Sequence, residues 1–311
     1  MILCLGTTPA VQRVMVFDRL EVNEVNRAAR TLDGVAGKSI NVAKVLRALG
    51  GRPFATGFLG GDRGAFVRAV LDEHAIPHEF VDVPARTRQC VTVIDRAQRT
   101  VTELVEESLP VDASAFAALA AIFDRQRPRA RAVVLSGTIT PGGPETLYAD
   151  CVRKAQAHSG LTVVDAKGPP LLAALGEKPG LVKPNRSELA ATVGRSLDDE
   201  TAIIQALREL HERGAQRIVV TAGKDPSLAF DGTRFWRVGN PPIDAVNPIG
   251  SGDSFTAGVV LGLLAGDDLG EACRRGAAAG AANALNLLAG EVGPGEVERL
   301  AARVNLAVVG G

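Results

Sequence analysis

From Ala130 onward, short runs of β-branched residues alternate with longer stretches in which apolar positions recur at helical spacing. The runs AVVLS within Arg131–Ser136, TVVD ending at Asp165 and IVVT ending at Thr221 each read as a buried strand. Between them, Pro144–Ala157 and Asp198–Arg213 are long enough to be the crossover helices that parallel strands require. This alternation predicts an α/β fold, a doubly wound and mostly parallel sheet flanked by helices.

The N-terminal third has a different rhythm. Strand-like segments at Val11–Phe17, Asn26–Leu32 and Gln89–Asp95 follow one another with one strong helical pattern between them or none, so they cannot all join a parallel sheet. Segments of approximately 11–33 and 86–105 are therefore expected to form a small β lid. No low-complexity linker and no internal repeat interrupts the sequence, so residues 1–311 are read as one domain carrying the lid as an insertion.

Charge narrows the function. Lys and Arg total 35 and Asp and Glu total 35, leaving no excess of positive charge for a nucleic-acid backbone or an acidic membrane surface. The four cysteines, Cys4, Cys90, Cys151 and Cys273, are widely spaced without a CxxC pair, as suits a reducing cytoplasm rather than a disulfide framework or a zinc site. The apolar run near Phe255–Ala265 is shorter than the roughly 20 residues a bilayer needs. The first residues, MILCL, read as a strand and not as a signal peptide.

Three helix-entry segments carry candidate chemistry, two of them rich in glycine. In Asn247-Pro-Ile-Gly250-Ser251-Gly252-Asp253, a glycine-rich turn runs into an apolar helical pattern. Backbone N–H groups from Gly250 to Asp253 at such a helix start suit developing negative charge, and Asp253 could take a proton from an attacking hydroxyl. An aspartate there can equally serve as a cap. Gly34-Val-Ala-Gly37-Lys38-Ser39-Ile-Asn41 contains GKS, but a P-loop needs glycine where Leu32 stands. What remains is a helix start offering Lys38 and Asn41 to a polar or anionic ligand. In Lys183-Pro-Asn185-Arg-Ser-Glu188, Asn185 and Glu188 fit a capping box, and also fit residues that approach hydrated Mg²⁺ beside nucleotide phosphates. His74 and His78, separated by Pro77, read as surface histidines, and Asp267-Asp268 as a solvated loop.

In this order, together with Thr8-Pro9-Ala10, Val25-Asn26-Arg27, Gly57-Phe58-Leu59-Gly60-Gly61, Thr87-Arg88, Thr102-Glu103, Ser136-Gly137, Asp165 and Gly280-Ala-Ala-Asn283, the motifs resemble the PfkB-type, ribokinase-like carbohydrate kinases. The resemblance is closest to the branch holding 1-phosphofructokinase and tagatose-6-phosphate kinase. It implies ATP and Mg²⁺ as cofactors, a hexose phosphate as acceptor (fructose 1-phosphate, fructose 6-phosphate or tagatose 6-phosphate), and a homodimer joined through the lid. It makes Asp253 the general base and Gly250, Ser251 and Gly252 the anion hole. Lys38 and Arg88 would hold the substrate's phosphate, with Gln12, Gly37, Asn41 and Glu103 on the sugar side. Lys183, Asn185, Glu188, Thr221, Gly223 and Asn283 would form the nucleotide side, with Asn185 and Glu188 reaching the metal through water.

The sequence also departs from that branch. Gln12 stands where an aspartate is usual, the usual GGKG is Ala36-Gly37-Lys38-Ser39, and the nucleotide loop reads Lys224-Asp225-Pro226-Ser227. The segment after Glu103 lacks the usual Glu-Pro-Gly. A kinase for an unphosphorylated sugar or nucleoside, and a non-catalytic sugar-phosphate sensor, are the alternative readings. Retention of Lys38 and Arg88 argues against the first, and the intact Gly250-Ser251-Gly252-Asp253 turn against the second.

Overall fold

The computed structural model describes residues 1–158 and 160–310. Its strands are β1 (Ile2–Leu5), β2 (Ala10–Phe17), β3 (Arg30–Ala36), β4 (Pro53–Leu59), β5 (His78–Asp82), β6 (Arg88–Asp95), β7 (Thr100–Val105), β8 (Ala132–Ser136), β9 (Leu161–Asp165), β10 (Leu181–Val182), β11 (Ile218–Ala222), β12 (Asp225–Phe230), β13 (Phe235–Val238) and β14 (Leu306–Val309). The helices are α1 (Lys38–Ala48), α2 (Gly61–Glu73), α3 (Ala113–Gln126), α4 (Leu147–Gln156), α5 (Pro169–Leu175), α6 (Arg186–Val193), α7 (Glu200–Glu212), α8 (Ser251–Ala265), α9 (Leu269–Ala284) and α10 (Pro294–Ala301).

A ten-stranded sheet runs in the order β14-β13-β12-β11-β10-β9-β8-β1-β4-β5. From β5 to β11 every pairing is parallel, and β12, β13 and β14 add antiparallel strands at one edge. The α/β expectation therefore holds. All of β8 and four of the five residues of β9 are buried, which is why both read as unbroken apolar runs instead of alternating ones. Two apolar clusters cover the sheet, one around α1, α8 and α9 and the other around α3, α4, α5 and α7.

A second sheet, of four strands, has the order β3-β2-β6-β7, with β2 and β6 parallel and the outer pairings antiparallel. Strand β3 runs from Arg30 to Ala36, not from Asn26 to Leu32. The Asn26 side chain is the cause: its Oδ1 accepts from Glu21 N–H (2.9 Å) and its Nδ2 donates to the Glu21 carbonyl (2.7 Å), holding a turn instead of a ladder.

Helices α8 and α9 bear most directly on the site. Their contact surfaces are small: a Cβ placed on Gly258 would stand 2.7 Å from the Arg275 carbonyl oxygen, and one on Gly276 would stand 2.8 Å from Val259 Cγ2. Glycine thus lets the two helices approach closely and brings the Ser251 end of α8 against Asn283, on α9. Asp267 and Asp268 are not a free loop. Asp267 pairs with Arg275 at 2.6 Å, and Asp268 caps α9 by accepting from Glu271 N–H at 2.8 Å. His74 is exposed after α2, whereas His78 is half-buried within β5, its Nδ1 3.0 Å from the Ile76 carbonyl oxygen. No helix among the described residues is long and apolar enough to cross a membrane.

Candidate active site

The loops at the C-terminal ends of the parallel strands and the starts of α1, α6 and α8 meet beside the second sheet, at the end of an open α/β sheet where ligands are usually held. Gly250 precedes α8 with φ of 84°, a left-handed conformation open to glycine at little cost. The Ser251 N–H turns back onto the Pro248 carbonyl (3.1 Å), so it is not a free donor. The amides of Gly252 and Asp253 have no partner among the described residues, as the first turn of a helix requires, and remain available to an anion.

Asp253 follows in that first turn, 7% exposed. Its Oδ2 accepts a hydrogen bond from Asn41 Nδ2 at 2.7 Å. Burial, with the Asp165 carboxylate nearby, pushes its pKa up to about 7 against the pull of Lys38, the Asn41 hydrogen bond and Lys183. A carboxylate so tuned exchanges protons near neutrality, as a general base should. Asn41 Oδ1 is buried and has no hydrogen-bond partner among the described residues.

Asp165, at the end of β9, is the centre of the charge arrangement and was not singled out as a site residue from sequence. It is fully buried between two ammonium groups, Lys38 Nζ at 2.7 Å and Lys183 Nζ at 3.1 Å, and accepts from Thr256 Oγ1 at 3.1 Å. Burial opposes its charge, but Lys183 and Lys38 outweigh that cost and hold the carboxyl down at about 2. The available signals were its place among the family-like motifs and its position, a carboxylate closing a strand of the parallel sheet.

Lys38 and Arg88 are directed differently. The Lys38 ammonium bridges Asp165 and Glu188 Oε1 (3.1 Å), and those carboxylates with Asp253 raise its pKa despite burial. Arg88, at the start of β6, turns its guanidinium onto the Thr8 carbonyl, 3.1 Å from Nη2, and lines a small pocket with Thr7, Pro9, Phe58, Thr87 and Thr140. Gly37 has φ of 104°, and a Cβ there would stand 2.9 Å from Pro9 Cα, so α1 starts tightly against the beginning of β2.

Other residues stand apart from the expected direct contacts. Gln12 is 0% exposed, with its Nε2 donating to Thr92 Oγ1 (3.1 Å) and its Oε1 accepting from Ala289 N–H (3.2 Å). Asn283 is also 0% exposed: its Nδ2 donates to the Ile249 carbonyl (2.8 Å) and to Ser251 Oγ (3.2 Å), and its Oδ1 accepts from Gly290 N–H (2.7 Å). It braces the turn from behind. Glu103 lies opposite Thr92 on β7 and is exposed.

Asn185 and Glu188, expected on the nucleotide side, form the reciprocal capping box of α6, with bonds of 2.8 and 2.9 Å. Thr221 bridges to Asn185 at the end of β11. Gly223, at φ of 62°, has nothing within 4 Å of a Cβ placed on it, so the turn before β12 is open. Lys183 is 3% exposed and its Nζ would lie 3.7 Å from a Cβ on Gly252, close to the start of α8. No cluster of three or more His, Cys, Asp or Glu side chains suited to a metal occurs among the described residues.

Known structures share this arrangement of elements. Phosphofructokinase-2 from Escherichia coli in complex with fructose-6-phosphate superposes with a TM-score of 0.85 at 27% identity, covering 97% of each chain. A possible 1-phosphofructokinase from Thermotoga maritima gives 0.92 at 23% identity over 99% of each chain. Arabidopsis thaliana ribokinase, complexed with ribose and ATP, gives 0.76 at 18% identity over 96% of this chain and 97% of that one. The pattern of the pfkB family of carbohydrate kinases matches residues 1–292, a span holding both sheets' site strands, the Gly250 turn and Asn283. The chain therefore belongs to the pfkB family and is an ATP-dependent carbohydrate kinase.

Proposed function

We propose that this kinase phosphorylates a hydroxyl of a hexose phosphate of the fructose 1-phosphate, fructose 6-phosphate or tagatose 6-phosphate class. The observation that carries the reaction is the buried Asp253 carboxylate, poised near neutrality beside two free amides at the start of α8. Asp253 takes the proton of the acceptor hydroxyl as its oxygen attacks the γ-phosphorus of ATP. The bond from that phosphorus to the β–γ bridging oxygen breaks and ADP leaves. The Gly252 and Asp253 amides meet the charge on the transferring group. Asn41 orients Asp253 through Nδ2 and offers its unpartnered Oδ1 to a sugar hydroxyl.

The two basic residues take separate tasks. Lys38, at Asp165 and Glu188, neutralises the transferring phosphoryl group, while Arg88, beside its small pocket, holds the phosphate the sugar already carries. Asn185 and Glu188 would hold Mg²⁺ through water. That cation would neutralise the β and γ phosphates. Thr221 and Gly223 border the nucleotide, with the open turn at Gly223 admitting its base. The protein works in the cytoplasm as a homodimer.

Turnover of ATP with the three sugar phosphates and with free fructose, tagatose and ribose, measured side by side, tests this reading. At least one phosphorylated sugar should be turned over well and the free sugars poorly. Asp253→Asn should keep its fold while losing roughly 10²- to 10⁴-fold in kcat. A free sugar as best substrate would overturn the substrate class, and near-normal turnover by the variant would remove Asp253 from its role.

A further inference from the structure

One residue, held through its two flanking peptide groups, joins the second sheet and α1 to the phosphoryl-transfer turn. Ala289 is 0% exposed and is held through both of its backbone polar atoms. Its N–H donates to Gln12 Oε1 (3.2 Å) on β2, and its carbonyl accepts from Lys44 Nζ (2.8 Å) on α1. Gln12 is tied at its other end to Thr92 on β6. On its opposite side Ala289 presses on the turn: a Cβ placed on Gly250 would stand 2.8 Å from the Ala289 Cβ. The next residue, Gly290, donates to Asn283, which braces Ile249 and Ser251. A Cβ on Gly290 would stand 3.1 Å from the Cα of Asn41, the residue bonded to Asp253.

Lys44 is an expensive choice for a merely structural bond. Its side chain is 3% exposed, its one hydrogen bond among the described residues goes to that carbonyl, and the nearest carboxylate among them, Glu291, lies 4.0 Å away and is itself 41% exposed. Burying an ammonium with so little compensation is unfavourable, and burial lowers its pKa. Gln12 is equally committed, since both ends of its amide are occupied and neither is open to solvent.

We propose that Gln12 and Lys44 are positioning residues that clamp Ala289 and so hold the Gly250–Asp253 turn in its anion-binding shape, with Gln12 bracing the turn from the second sheet rather than binding the sugar. The kinetic part of this inference rests on the proposed role of the turn. Its structural part does not.

Gln12→Met and Lys44→Met remove the bonds at nearly constant volume, and Lys44→Arg keeps a donor for the carbonyl. Each Met variant should lose about 10- to 100-fold in kcat, the scale of a displaced reacting group, while the sugar-phosphate KM changes less than about threefold. Because both act through one residue, Ala289, the double variant should fall well short of the product of the two losses. Lys44→Arg should recover most of kcat. Unchanged kcat, multiplicative losses in the double variant, or a Gln12→Met variant that raises the sugar KM with kcat intact would each overturn the clamp. Hydrogen exchange on the ligand-free protein provides the independent arm, and also serves should no sugar phosphate be turned over. Amides at 287–291 and 250–253 should exchange faster in both Met variants, and unaltered exchange would overturn the clamp. Should Lys44→Met fail to fold, Thr92→Val, which frees the far end of Gln12, should quicken exchange at the same amides, and its failure to do so counts equally against the clamp.

Discussion

At the residue scale, the site is a balance of three carboxylates and two ammonium groups, and the balance sets its pH behaviour. Asp165 stays charged because Lys38 and Lys183 flank it, and its charge in turn helps keep Asp253 near 7. A raised pKa means that Asp253 holds its proton below neutrality, so kcat/KM should climb with pH through about 7 and level off above it. Asp165→Asn removes the like charge and leaves both lysines acting on Asp253, which should move this limb down by at least about one pH unit. An unmoved limb in that variant would show that Asp165 does not tune the base. The two basic residues should separate kinetically. Arg88→Ala should raise the sugar-phosphate KM about ten- to a hundredfold, the loss of one charge-assisted hydrogen bond, with ATP binding barely changed. Lys38→Ala should instead fall mainly on kcat. The same kinetic pattern in both variants would mean that they share one task.

At the element scale, what the sequence disclosed depended on how local the cause was. The capping box at Asn185 and Glu188 was legible because its partners lie three residues apart, and α7 runs from Glu200 to Glu212 behind its Asp199 cap, close to the expected limits. Strand β9 ends at Asp165 as its β-branched run does. Asp165 was not legible as a site residue, since its partners, Lys38, Lys183 and Thr256, come from distant segments that only the tertiary fold unites. The partners of Gln12 were hidden for the same reason: they are supplied by β6 and the segment after α9. The Gly250 turn was legible from its glycines, and it carries a direct test. Gly250→Ala imposes a left-handed conformation on a residue with a Cβ and drives that atom to 2.8 Å from Ala289 Cβ. It should cost about 2–4 kcal/mol in stability, from backbone strain plus overpacking. It should also lower kcat by about 10²-fold through displaced amides. Urea unfolding beside steady-state kinetics would measure both, and wild-type kcat in a folded Gly250→Ala protein would detach the turn from catalysis.

At the scale of the whole molecule, both sheets end in open edge strands, but the large exposed apolar side chains gather mostly at the second. The edges of the large sheet are β5 and β14, whereas the second sheet presents β3 and β7, each with one side unpaired among the described residues. Five of the large apolar side chains that stand exposed lie on or beside this second sheet: Val22 and Val25 at 81%, Leu104 at 56%, Val105 at 46% and Leu109 at 56%. Its own apolar cluster is small, with Val14, Val16 and Ile94 buried and Leu32, Val101, Leu287 and Leu288 packed against them. A four-stranded sheet with so thin a core and open edges would be stabilised by pairing with a second copy, which would cover apolar surface and satisfy edge groups at once. The homodimer should therefore form through this sheet. Sedimentation at tens of micromolar protein should give twice the monomer mass. Leu104→Glu with Val105→Glu should shift it toward monomer, because two like charges would then lie desolvated at the contact. Dissociation should also depress kcat, since β2 carries Gln12 and β6 carries Arg88, so loosening the sheet reaches both the turn and the phosphate pocket. A wild-type monomer with full activity would sink the dimer, and a dimer untouched by the paired Glu substitutions would place its interface elsewhere.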